Sequence, residues 1–131
     1  MNKDLWVKME EEYNFDVKGT LNRFMNNEAL YLKFLKKFLE DNNYQLLAEN
    51  YNTNNFEEMF RTVHTIKGVS GNLGLTDLYN KSSEMTNLLR KLDGNNTNLD
   101  ENVKKDLDRL YLEICGIYDV TCRAIKEISG V

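Results

Sequence analysis

A chain of 131 residues, 41% hydrophobic and 29% charged, is long enough for one domain with a sizeable core and too short to add a second, catalytic domain. A net charge of −4 argues against nucleic acid as the main partner, because phosphate backbones call for a basic surface. No apolar run approaches the ~20 residues that span a bilayer, and the polar N-terminus lacks a signal-peptide core, so a cytoplasmic location with no membrane partner is expected. The absence of proline favours long uninterrupted helices.

Residues 1–14, with Leu5, Trp6, Met9 and Tyr13, read as an added N-terminal helix. Asp16 caps a short helix running to about Met25, and Asn26-Asn27 breaks it. The next helix begins near Glu28, turns Leu30, Phe34, Leu35, Phe38 and Leu39 inward, and is expected to continue past Asn42-Asn43 to Leu47. Its lysines, Lys33, Lys36 and Lys37, form a solvated face. Residues 50–55 are a polar connector, and Asn55-x-x-Glu58 is a capping-box variant that starts the following helix.

That helix holds the only histidine of the chain. Phe56, Met59, Phe60, Val63 and Ile66 recur at the spacing of an amphipathic segment and face a core. At ~100° per residue, His64 lies roughly 120° from the centre of this stripe, on the side shared by Glu57, Arg61, Gly68 and Gly71, and should look outward. Glycine inside a helix costs up to about 1 kcal/mol relative to alanine, so Gly68 needs a reason. Side chains four apart cover one surface patch, and the missing side chain at Gly68 opens a bare backbone shelf beside the ring. Lys67 can swing its ammonium toward the same patch. An exposed nucleophile, clear access and a nearby cation suit a group that receives and hands on a phosphoryl anion. Ser70 projects toward the core as a small packing residue, and Gly71 admits either packing or access.

Gly74 ends the histidine helix and Thr76 is expected to cap the next, whose inner stripe is Leu75, Leu78, Ser82, Met85, Leu88, Leu89 and Leu92. Residues 93–97 form a loop, and Asn98-x-x-Glu101 repeats the capping pattern. Val103, Leu107, Leu110, Ile114, Ile117, Thr121, Ala124 or Ile125, and Ile128 keep a last helix periodic almost to the C-terminus. Cys115 and Cys122 lie about 10 Å apart along it, too far for a disulfide, and are expected to be free thiols in a reducing compartment. One histidine and two cysteines on a different helix are a poor start for a zinc site, and no metal or other cofactor is expected. Short loops between four main helices predict an all-α, antiparallel up-down-up-down four-helix bundle with additional short N-terminal helices.

The run His64-Thr65-Ile66-Lys67-Gly68-Val69-Ser70-Gly71-Asn72-Leu73-Gly74 resembles the His-x-x-Lys-Gly-x-Ser/Ala-x-x-Leu-Gly signature of histidine-containing phosphotransfer (Hpt) domains, the intermediates of multistep phosphorelays in two-component signalling. The flanks continue the resemblance, which spans about residues 15–129 of a single domain covering 1–131. It implies a phosphocarrier rather than an enzyme, phosphorylated on His64 Nε2, with Lys67 stabilising the phosphoryl group and Gly68 giving access. The implied partners are receiver domains of response regulators or a hybrid sensor histidine kinase, the implied state is a monomer, and Mg²⁺ is supplied by the receiver. Several family members carry a glutamine twenty-two residues after the histidine. Here that place is Thr86, whose shorter hydroxyl is expected to reach the ring only through water. No P-loop or kinase glycine loop is visible, so phosphorylation from ATP is not expected. The competing class is a helical module that docks receivers or other helices without transfer.

Overall fold

The computed structural model describes residues 3–92 and 99–130. The described residues form seven helices: α1 (Lys3–Tyr13), α2 (Val17–Arg23), α3 (Glu28–Phe38), α4 (Asn43–Asn52), α5 (Phe56–Leu73), α6 (Thr76–Arg90) and α7 (Glu101–Ser129). They build a helical bundle. Helix α5 packs between α4 and α6, α7 packs on α6, and α3 closes the ring by packing on α7, while α1 lies against α7 and α2. Tyr44 stacks on Tyr118 and Tyr51 on Tyr111, centroids 3.9 and 3.8 Å apart, so α4 and α7 run in opposite directions.

Asp16 caps α2 as its spacing predicts, its carboxylate accepting from the Gly19 amide at 3.0 Å. Met25 and Asn26 both take positive φ and end that helix earlier than expected. The single helix expected from Glu28 to Leu47 is two. After Phe38 the backbone tightens into i→i−3 bonds from Leu39, Glu40 and Asp41, and the Asp41 carboxylate takes the Asn43 amide at 2.7 Å. A short acidic side chain competing for backbone donors is what breaks the segment. Helix α4 then extends to Asn52, leaving only residues 53–55 of the expected connector.

On α3 the expected inward Phe34 is 37% exposed, and Tyr31, one position round the helix from Leu30, is fully buried in its stead. The Tyr31 ring lies between Trp6 (5.2 Å, 11° between planes) and Phe24 (5.7 Å, 17°), and burial pushes its phenol above its ordinary range. Its hydroxyl donates to the Leu73 carbonyl at 2.7 Å, at the last residue of α5.

That end of α5 is fixed in two further ways. Gly74 adopts φ 73°, with Leu75 N–H donating to Ser70 O at 2.9 Å and Gly74 N–H to Gly71 O at 3.4 Å, the Schellman pattern. A Cβ on Gly74 would clash with Thr20 Oγ1 and lie 2.6 Å from the Asp16 carbonyl oxygen. The Arg23 guanidinium donates to Gly71 O and Asn72 O at 3.1 and 3.2 Å, neutralising helix-terminal carbonyls. Thr76 is the first residue of α6 and supplies no cap; the start is held by the backbone, with Phe15 bridged to Leu75 and Asp16 N–H donating to Gly74 O at 2.8 Å. Helix α7 is capped by Asp100, which accepts from Asn102 N–H. The expected 93–97 loop and the Asn98 cap lie outside the described residues.

Tyr31→Phe should keep the aromatic stack and leave the Leu73 carbonyl without its donor. The expected cost is about 1–3 kcal/mol, the penalty of a buried unsatisfied acceptor, read as a lowered urea midpoint at unchanged m-value. An unchanged midpoint would mean that water replaces the hydroxyl.

Candidate functional site

Helix α5 starts where the sequence marks it, with the Asn55 side chain accepting from Glu58 N–H at 3.3 Å and Glu57 and Glu58 both paired to Arg61 on the surface. Met59, Val63, Ile66 and Leu73 are buried, and so are Thr62 and Ser70. The Ser70 hydroxyl donates to Ile66 O at 2.7 Å, spending its polarity within the helix. Midway along, His64 is exposed on the opposite side. Its ring runs nearly parallel to that of Phe60 one turn earlier, 9° between planes and 6.0 Å between centroids.

Gly68 is exposed, and a Cβ built on it meets nothing within 4 Å. Among the described residues nothing occupies the place a side chain at Gly68 would take. Gly71 differs: a Cβ there would lie 3.0 Å from Tyr79 Cδ1, so its use is internal packing against α6. Lys67 is half-buried, with its Nζ 6.0 Å from the centroid of the Tyr79 ring. Arg90, at the end of α6, places its guanidinium 5.7 Å over Phe60 and donates to Asn87 at 3.3 Å.

Thr86 finds its hydrogen-bond partner within its own helix. The antiparallel register that sets Tyr79 by Gly71 and Arg90 by Phe60 also brings Thr86 level with His64, yet its side chain is fully buried and its hydroxyl donates to Ser82 O at 2.7 Å. A threonine at a core-facing helical position satisfies itself on the preceding turn. Its proton is therefore committed within α6 and does not serve the ring. The neighbours that sequence reading missed are Phe60, which it assigned wholly to the core, and Tyr79 and Arg90. The last two come from another helix, and only the register across the Gly74 turn brings them to α5.

Cys115 and Cys122 are free and half-buried, and burial pushes the Cys122 thiol up. Among the described residues no group of three or more His, Cys, Asp or Glu side chains is placed to hold a metal ion. No helix there is long and apolar enough to cross a membrane.

The bundle thus turns an imidazole outward from the middle of a helix, with Lys67 and the exposed backbone of Gly68 within the next turn or so. A family model for the Hpt domain matches residues 32–113, more than half of the chain, and the chain belongs to that family. Its business at family level is histidine phosphotransfer in phosphorelays, as a phosphocarrier that interacts with receiver domains. The match begins in α3 and ends in α7, a narrower span than the resemblance read from the motif. Comparison with curated proteins and with solved structures gave no match.

With open space around its Cβ position, Gly68→Gln should gain up to about 1 kcal/mol of helix propensity, measured by urea denaturation. A loss of stability would place a contact at Gly68 that this structure does not contain.

Proposed function

We propose that His64 is the phosphorylated residue of this Hpt domain and that it exchanges its phosphoryl group with receiver-domain aspartates. The observation that carries the reading is the exposed His64 ring beside the empty Cβ position of Gly68, inside the matched span. In the forward step the Nε2 lone pair attacks the phosphorus of a receiver aspartyl phosphate. The N–P bond forms as the acyl-phosphate P–O bond breaks, and the aspartate carboxylate leaves with the bonding pair. Nδ1 keeps its proton throughout, so an unassisted imidazole suffices as nucleophile. Return of the group to a second receiver reverses these bond changes.

Lys67 offers its ammonium to the phosphoryl oxygens as charge shifts during transfer, where a flexible cation matters most. Magnesium belongs to the receiver's acidic site, and this chain brings no cofactor of its own. A bare shelf at Gly68 lets the receiver's loops come within bonding distance of the ring, with one copy of the chain engaging one receiver.

Mixing the protein with a phosphorylated receiver and Mg²⁺ should move the label onto His64 as an acid-labile phosphohistidine. His64→Gln should abolish transfer with helical content unchanged, since an exposed side chain contributes little to stability. Label persisting on that variant would assign the chemistry elsewhere, and receiver binding without any transfer by the native chain would leave a docking module only.

Two neighbouring substitutions divide binding from chemistry. Lys67→Ala should slow transfer more than it weakens receiver binding. Gly68→Gln should impair both while raising stability, and full transfer by that variant would refute the access argument.

A further inference from the structure

Lys67 differs from the other half-buried lysines of the chain in what holds it. Lys8 bonds to Glu127, Lys81 to Glu84 and Glu113, and Lys104 to Asp108. Among the described residues no carboxylate pairs with Lys67, and the contact its ammonium makes is with the ring of Tyr79, 6.0 Å from Nζ to centroid. A carboxylate at this position would quench the charge and compete with phosphoryl oxygens for it. An aromatic face attracts a cation through its quadrupole, leaves the positive charge intact and holds it weakly enough to release it.

Tyr79 reaches this place because of a residue with no role of its own in the motif. Its ring edge rests against the backbone of Gly71, where a Cβ would lie 3.0 Å from Cδ1 and 3.1 Å from Cε1. Lys67 is one turn before Gly71, so its stem runs over the patch that the missing side chain leaves clear. Tyr79 is 38% exposed and lies in the first turn of α6, whose position the Gly74 turn fixes.

We propose that Tyr79, seated on Gly71, is a positioning residue that parks the Lys67 ammonium beside the phosphotransfer site without neutralising it. This rests on the reading of Lys67 as the phosphoryl-stabilising group. Tyr79 touches no reacting atom, and its contribution runs through Lys67 alone.

The test is a mutant cycle on the intact chain with a phosphorylated receiver. Tyr79→Leu should lower the single-turnover transfer rate about two- to five-fold, the size of an exposed cation–π contact, with receiver affinity unchanged. Tyr79→Phe, which keeps the π face, should restore the native rate. In a Lys67→Ala background Tyr79→Leu should have no further effect. The Lys67 Hε resonances give an independent readout, since they should lose an upfield ring-current shift in Tyr79→Leu and keep it in Tyr79→Phe.

A Tyr79→Leu defect of equal size in the Lys67→Ala background, a loss of receiver affinity, or unchanged Hε shifts would each overturn the proposal. If Lys67→Ala itself leaves transfer at the native rate, the role given to Lys67 falls first and the proposal falls with it, even where the ring-current shift shows the contact.

Discussion

The site depends on where α5 stops. Gly74 in the left-handed region closes the helix with Schellman bonds and returns the chain into α6 after a single residue, and a side chain at Gly74 would collide with Thr20 and the Asp16 backbone. This fixed turn sets the register of α5 against α6, and through it the level at which Tyr79 meets Lys67 and Arg90 meets Phe60. A slip of one residue there would rotate α6 by about 100° and exchange its buried and exposed faces beside His64. The geometry around the imidazole is therefore determined nearly three turns away from it.

The two faces of α5 divide the labour. Its buried side contributes apolar volume and two hydroxyls, of which Ser70 satisfies itself on the turn before and Thr62 accepts from Asn50 at 3.0 Å. Its outer side carries polar groups left available toward the C-terminal half. At the N-terminal end Glu57 and Glu58 hold Arg61, whereas Lys67 makes no ion pair with a carboxylate among the described residues. A phosphoryl group carries its own negative charge, so a face that keeps its cation unpaired and its Glu57 and Glu58 carboxylates nearly two turns from His64 suits the role proposed for it.

How much of this was legible depended on whether a signal was local. Local patterns marked the caps at Asp16 and Asn55, the apolar stripes of α5, α6 and α7, and the outward direction of His64, because each arises from spacing along one helix. The break between α3 and α4 was missed because Asp41 acts through its own side chain on the Asn43 amide, a competition that periodicity does not register. Tyr31 was passed over for Phe34 because both fit an apolar stripe; Phe24 stacks on both rings, and it is Trp6 on Tyr31 alone that distinguishes them. Thr86 was expected to reach the ring only through water, and what counting from the histidine could not show is that its hydroxyl donates within its own helix, to Ser82 O. Gly71 could not be assigned until Tyr79 was seen against it.

The family match also bears on what counts as the functional unit. It begins at residue 32, immediately after Tyr31, and so leaves out Trp6, Arg23 and Tyr31. Yet Tyr31 supplies the donor for the Leu73 carbonyl, Arg23 binds the carbonyls of Gly71 and Asn72, and Trp6 packs flat on Tyr31. Helix α1 is in turn held to α7 by Lys8 and Glu127 at 2.5 Å. The motif-bearing helix is thus braced at its C-terminal end by residues that lie outside the matched span. The N-terminal helices belong to the mechanics of the site because they fix the terminus from which the register of Lys67, Gly71 and Tyr79 is measured.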